Sequence, residues 1–231
     1  MTAYIFPPAP QPSVAVTGET ARFPVRRIFC VGRNYAEHAR EMGHNPEREA
    51  PFFFSKPADA VVESGASIPY PPETRNLHHE IELVVAIGHG GAAIPAETAL
   101  DHVYGYGVGI DLTRRDLQGV AKAAGRPWDL AKGFDLSAPV GPITPVAAGA
   151  QGAKGRIWLA VNGVEKQSGD LVDMIWPVAD VIAFLSRSVT LAPGDLIMTG
   201  TPAGVGPLVP GDVVTGGIDG LGDIQLTIQP A

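Results

Sequence analysis

The run Leu77-His78-His79-Glu80-Ile81-Glu82-Leu83-Val84-Val85-Ala86-Ile87 constrains this chain more than any other segment. Its aliphatic, partly β-branched half reads as a strand buried on both faces. Yet it carries two carboxylates two residues apart. Successive side chains on a strand alternate between faces, so Glu80 and Glu82 share one. Two like charges beside apolar surface are costly unless something neutralises them. A hard divalent cation does so, because carboxylate oxygens suit magnesium, manganese or calcium. An edge strand with solvated acids is the alternative, and the pair alone does not choose.

A metal would need a further ligand, and an acid at the end of a neighbouring strand is the natural source. Asp111 fits: it follows Tyr106-Gly107-Val108-Gly109-Ile110, a glycine-interrupted strand whose glycines permit close approach of a ligand or another strand. Taken by itself, Asp111 also reads as an acid flanking a helix.

Burying such a strand takes a sizeable core. The chain has 231 residues, 45% hydrophobic and 18% charged, enough for one large globular domain. With 28 glycines and 22 prolines it is rich in turns and short strands, which predicts a β-dominated α+β architecture with a few helices. The single cysteine, Cys30, allows no internal disulfide, lies in an apolar strand as core, and fits a cytoplasmic protein. A net charge of −7 offers no electrostatic reason to bind nucleic acid. No apolar run approaches the ~20 residues of a membrane span, and the proline-rich start lacks a signal-peptide pattern, so no membrane association is expected.

Along the chain, residues 1–25 read as an extended arm with a short strand at Val14-Ala15-Val16, and residues 26–231 as one domain. Strands are predicted at Arg27–Gly32, from Phe52, at Val103–Asp111 and at Asp195–Thr199. Asn34–Met42 reads as a short helix, followed by a polar loop over 43–51 long enough to act as a lid. The region near Ala96–His102 reads as helical. Thr113-Arg114-Arg115-Asp116 has the hydroxyl-x-x-acid capping pattern of a helix from about Arg114 to Ala124. Asn162-Gly163 between apolar runs predicts a type I′ hairpin. Pro177 opens a helix to about Ser186.

Three further segments carry chemistry. His38 and Glu41 are three apart on the first helix and so share a face. A carboxylate beside an imidazole orients it and raises its basicity, as a general base for water requires. An exposed helix laced with ion pairs explains the same residues. Lys132, in Leu130-Ala131-Lys132-Gly133-Phe134, sits among apolar residues and could stabilise an oxyanion or enolate; a snorkelling surface lysine is its alternative. The loop Gly200-Thr201-Pro202-Ala203-Gly204-Val205-Gly206 offers backbone N–H groups and a hydroxyl to an anion, or is simply a tight turn. His78 precedes the acidic strand and stands at best behind its ligands. No nucleophile elbow, Walker A loop or His-Glu-x-x-His is present.

Together these segments resemble the fumarylacetoacetate hydrolase family. The resemblance rests on Cys30–His38, His78–Glu82, Gly109–Gln118, Ala131–Asp135 and Thr199–Gly206, in the family's order, and covers residues from about 26 to the C-terminus. Five ordered motifs are far more specific than any one. The resemblance implies a mixed β-sandwich roll with the active site at one end, in a homodimer. It implies Mg2+ or Mn2+ (Ca2+ in some members) held by Glu80, Glu82 and Asp111. It places His38 and Glu41 as a water-activating dyad and Lys132 as the catalytic lysine. Arg115, Gln118 and Thr201 match substrate-contacting positions, and Lys56 is a further carry-over.

The implied activity is hydrolysis of a carbon–carbon bond in a ketonic small molecule, a 2-oxo or dioxo acid. The metal would stabilise a pyruvate enolate, and water activated by His38 would attack the other carbonyl. The Phe52–Ala60 segment and Glu41-Met42-Gly43-His44 are most similar to the branch that cleaves acylpyruvates such as fumarylpyruvate in aromatic-acid breakdown. A dicarboxylate substrate would need a cation at its far end, with Arg33, Arg48 and His44 as candidates. Oxaloacetate decarboxylation, or an isomerase/decarboxylase reaction on longer unsaturated diacids such as 2-hydroxyhepta-2,4-diene-1,7-dioate, would use the same platform. A silent metal-binding protein would have no need of His38, Glu41 and Lys132 together.

Overall fold

The acidic run does not form one strand. In a computed structural model, which describes residues 3–41 and 50–231, Leu77–His79 and Ile81–Ile87 are separate strands in separate sheets, and Glu80 lies at the break between them. The apolar pattern continues across the break, which is why a single strand was expected. The chain turns from one sheet into the other because each half finds different partners. Leu77–His79 pairs with Thr113–Arg114 and Gly206–Leu208, whereas Ile81–Ile87 pairs with Asp195–Met198 and Val103–Ile110.

Ile81–Ile87 is a central strand, buried along its whole length, so the solvated-edge reading of its acids does not hold. Among the described residues its sheet runs Phe53–Lys56, Arg27–Val31, Asp195–Met198, Ile81–Ile87, Val103–Ile110, Ala138–Val140, Val61–Glu63, with Thr144–Pro145 also paired to Val103–Ile110. Parallel and antiparallel pairings are mixed. A five-stranded sheet, Val164–Asp170, Arg156–Val161, Val213–Ile218, Gly222–Gln229, Ala66–Pro69, packs against it. The architecture is the β-dominated α+β sandwich roll expected.

Alternation along the central strand builds two cores. Ile81, Leu83, Val85 and Ile87 join the larger one, with Ile157, Leu159, Val214 and Leu226 of the second sheet and Val181, Ile182 and Leu185 of the helix Val178–Ser188. Val84 and Ala86 join the smaller, with Ile28, Cys30, Leu196 and Met198 and with Val14, Val16, Phe23 and Val25 from the N-terminal segment. That segment is anchored by Ser13–Val14 pairing with Phe23–Pro24 and by hydrogen bonds between Thr17 N and Ile143 O and between Ile143 N and Ala15 O. Glu82 is on the face of Val84 and Ala86, at the end of this smaller core. Leu83 has no exposed surface, so Leu83→Ala is expected to cost about 2–5 kcal/mol; a shifted urea midpoint at unchanged slope measures it.

The glycines of Val103–Ile110 admit a crossing strand, as expected. A Cβ on Gly105 would lie 2.4 Å from Thr144 O. Asn162 and Gly163 both have positive φ, at 51° and 77°, the geometry of the predicted type I′ turn. The helix expected at Arg114–Ala124 spans Arg115–Ala123, but the predicted cap does not form. Thr113 is buried in the three-stranded sheet and donates to Asp111 O, while the Asp116 carboxylate accepts from Thr74 Oγ1 and Arg75 N. A local carbonyl captured the threonine, and long-range partners the acid. The first helix spans Ala36–Glu41; Met42, His44, Arg48 and all of the expected loop except Ala50 and Pro51 lie outside the described residues. Among the described residues no helix is long and apolar enough to cross a membrane.

Candidate active site and metal centre

Strand register brings the three acids together. Ile81 lies opposite Ile110 and Glu82 opposite Gly109, so Glu80 lies opposite Asp111, whose N–H donates to Glu80 O at 2.8 Å. Opposed residues of an antiparallel pair project from the same face. Ligand oxygens of Glu80, Glu82 and Asp111 all lie within 4.8 Å of one another, and all three side chains are buried.

Their charges are balanced by side chains from elsewhere in the chain. Lys132 Nζ donates to Glu80 Oε2 at 2.8 Å and to Asp111 Oδ2 at 2.6 Å. Arg115 donates to Glu80 Oε1 and, at 2.5 Å, to Gln118 Oε1. Lys56 Nζ lies 2.8 Å from Asp111 Oδ1. Among the described residues Glu82 pairs with no such cation, and it accepts from Gly200 N at 2.7 Å. Burial opposes ionisation of Glu80, but the charges of Lys132 and Arg115 outweigh it and hold its carboxyl well below the usual range. For Glu82, burial and then the charges of Asp111 and Glu80 all act the same way and push the carboxyl well up. Lys132 remains an ammonium: burial lowers its pKa, yet Asp111 and Glu80 raise it by more. A surface lysine is therefore excluded.

The donor set suits a divalent cation. Three carboxylates are hard ligands of the kind magnesium and manganese take. Asp111 Oδ1 is buried and accepts no hydrogen bond, since its contact with Lys56 is an ion pair without hydrogen-bond direction. Glu82 is also short of counter-charge. Both are features that a bound cation would satisfy.

His38 is buried, and its Nδ1 lies 3.3 Å from Glu41 Oε2. Glu41 is held in turn by Gly204 N at 3.1 Å. Two N–H groups of the glycine loop are taken by the protein's own carboxylates, Gly200 by Glu82 and Gly204 by Glu41. Gly200 has φ 97°, and a Cβ there would lie 2.8 Å from Asn34 Cβ. Asn34 in turn joins the start of the first helix to the loop, donating to Thr199 O at 2.8 Å and to Trp176 O at 2.9 Å.

One cavity opens on these groups, lined by Gly32, Arg33, His38, Glu80, Arg115, Gln118, Lys122, Trp128 and Lys132. It gathers His38, Lys132, Glu80, Arg115, Gln118 and Arg33 of the expected site. Lys56 has a different place: it is not part of this lining, but is buried behind Asp111 and donates to Leu112 O and Lys132 O. Its ammonium thus pairs with Asp111 from behind the cavity. Thr201 is likewise buried and outside this lining, its Oγ1 accepting from Gln167 Nε2 at 2.7 Å, which leaves the hydroxyl proton free to donate. His78 touches Arg115 at 3.4 Å, and burial followed by the Arg115 charge lowers its pKa to about 4.

Gln167 escaped the sequence reading. It is completely buried; its Oε1 takes His79 Nδ1 and Ile81 N on either side of Glu80, and its Nε2 gives to Thr201 and Pro202. It ties the chain break that carries Glu80 to the loop that carries Gly200. Its local signal is nil, since it sits in a hairpin strand that is otherwise mostly exposed. Lys122 and Trp128 also escaped, although Lys122 follows Arg115 by seven residues, a spacing visible in the sequence.

Residues 27–229 match the family described as fumarylacetoacetate (FAA) hydrolase C-terminal. The chain is 46% identical over 183 residues to a fumarylpyruvate hydrolase of a Ralstonia species, covering 79% of this chain and 95% of that protein. It is 42% identical over 203 residues to the mitochondrial oxaloacetate tautomerase FAHD1 of Arabidopsis thaliana, covering 88% and 91%. The crystal structure of fumarylpyruvate hydrolase from Pseudomonas aeruginosa in complex with Mn2+ and pyruvate matches with a TM-score of 0.97 at 49% identity, over 99% of this chain and 100% of that one.

Proposed function

Because the chain belongs to the fumarylacetoacetate hydrolase family, we propose that it is a metal-dependent hydrolase acting on carbon–carbon bonds in ketonic substances, with an acylpyruvate, foremost fumarylpyruvate, as substrate. The observation that carries this reading is the buried His38–Glu41 pair lining the same cavity as Glu80 and Lys132. A scaffold that merely held a cation would have no use for an oriented imidazole there.

Glu80, Glu82 and Asp111 would hold Mg2+ or Mn2+, and the bound ion supplies Lewis acidity toward the ketone and carboxylate oxygens of a 2-oxo acid. Arg115, Gln118 and the Thr201 hydroxyl orient the pyruvyl end. With Nδ1–H directed at Glu41, the His38 Nε2 lone pair takes a proton from water. The water oxygen bonds to the acyl carbonyl carbon. The bond between that carbon and the pyruvyl methylene then breaks, its electron pair leaving with the methylene, which recovers a proton from His38. Lys132, held as an ammonium, balances negative charge as it develops. Fumarylpyruvate and water give fumarate and pyruvate. The cytoplasm and a homodimer are the setting we infer, the first from the buried, lone Cys30.

The likeness to an oxaloacetate tautomerase favours one second reading. Moving a proton between the methylene and the ketone oxygen of oxaloacetate needs a base at the position of His38 but no attacking water. Fumarylpyruvate, acetylpyruvate and oxaloacetate, assayed with Mg2+ and Mn2+ in turn, separate the two. Release of pyruvate from fumarylpyruvate is expected to dominate. Preference for oxaloacetate by orders of magnitude, with no acylpyruvate cleavage, would replace the hydrolase with the tautomerase or a decarboxylase.

A further inference from the structure

The helix Arg115–Ala123 presents Arg115, Gln118 and Lys122 to the cavity. These are positions i, i+3 and i+7, one face of a helix, and so they form a row along one wall. The row starts at the acids, where Arg115 bonds Glu80 and Gln118. It ends two turns later at Lys122, about 10 Å further along the axis. Lys122 is exposed, and a helical side chain leans toward the N-terminal end of its helix, here back toward Gln118. The separation is comparable to an extended seven-carbon diacid.

The cavity holds a second cation away from the acids. Arg33 lines it too, but its guanidinium stacks over the Phe52 ring at 5.0 Å, itself packed edge-on against Trp128 at 5.4 Å. Arg33 thus stands on the aromatic wall and outside the helix row that starts at Arg115. Lys122 is the cation aligned with the pyruvyl-binding residues.

Resting on the acylpyruvate reading above, we propose that Lys122 receives the substrate's distal carboxylate and so selects dicarboxylic over monocarboxylic acylpyruvates. Arg115 and Gln118 hold the pyruvyl end, and Lys122 sets the length and charge of the other. It is a specificity residue that takes no part in the bond-breaking step.

The test uses a ligand pair that cannot be cleaved, 2-oxoheptanedioate and 2-oxoheptanoate, which differ only in the far carboxylate. Their affinities for the Mn2+-loaded protein are measured by calorimetry in wild type, Lys122→Gln, Lys122→Arg and Arg33→Gln. Wild type is expected to prefer the diacid. Lys122→Gln should reduce that preference about tenfold, the worth of one charge-assisted hydrogen bond at a pocket rim, and Lys122→Arg should restore most of it. An unchanged preference in Lys122→Gln, an equal loss for both ligands, or a collapse produced by Arg33→Gln instead would overturn the assignment. The ratio of kcat/KM for fumarylpyruvate over acetylpyruvate should follow the same order. Failure of wild type to cleave either substrate would sink the hydrolase reading, whereas the binding ratio would still decide the role of Lys122.

Discussion

Replacing His38 with alanine is expected to slow acylpyruvate hydrolysis by about 10²–10⁴-fold, the usual worth of a positioned general base, while Mn2+ binding stays at the wild-type level. The two readouts separate because His38 is held through Glu41, whereas strand register and buried cations hold the acids, with the glycine loop serving both. His38 hangs on Glu41, and Glu41 on Gly204 N, whereas the acids are held by strand register and by Lys132, Lys56, Arg115 and Gly200 N. Glu41→Gln should give a smaller loss, because the amide can still accept from Gly204 and from Nδ1–H but no longer stabilises the imidazolium. Stopped reactions assayed for pyruvate give the rates, and titration with Mn2+ gives the affinity. If His38→Ala loses the metal, or if hydrolysis persists at more than a tenth of the wild-type rate, the base lies elsewhere.

The parts of this site that could be read in the sequence were those whose cause is local. Glu80 and Glu82 two apart, Asp111 at the end of a glycine-rich strand, and Asn162-Gly163 between apolar runs each state their geometry within a few residues. Lys132 does not. Its apolar neighbours suit a snorkelling lysine equally well, and only partners 52 and 21 residues away make it a buried cation. Gln167 depends on contacts 86 and 88 residues distant and leaves no local trace. Thr113 and Asp116 show the opposite error: Thr113 turns back to Asp111 O, and Asp116, which does accept from Leu117 N at the helix start, also takes Thr74 and Arg75 from far along the chain. The break at Glu80 was hidden because hydrophobic alternation records burial, and both halves are buried, in different sheets. Register could not be read at all, yet it is what places Asp111 opposite Glu80.

That register makes Glu82 the most informative single change. In the metal-free protein, burial together with the charges of Asp111 and Glu80 raises the Glu82 pKa and so favours the protonated acid, which glutamine copies in size and in its acceptor for Gly200 N. Glu82→Gln is therefore expected to leave metal-free stability within about 1 kcal/mol of wild type, while Mn2+ affinity falls by about 100-fold or more through loss of a charged ligand. Asp111→Asn should lose the metal as well, but at a different cost. Asp111 balances two buried ammonium groups, Lys132 and Lys56, and removing one partner of a buried pair costs about 3–5 kcal/mol. The pH response separates the two further. As pH rises through the ordinary carboxylate range, the unfolded chain gives up the proton of Glu82 before the folded metal-free chain does. The folded state then binds more protons, and stability falls with rising pH. His78, its pKa lowered to about 4, and His79 act in the opposite direction, so the effect is read as the stability of Glu82→Gln minus that of wild type, which should grow with pH. Urea midpoints in EDTA across pH 4–8, with Mn2+ titrations of the same proteins, measure both effects. A Glu82→Gln protein as unstable as Asp111→Asn would mean that Glu82 is charged without its metal, and wild-type Mn2+ affinity would remove it from the ligand set.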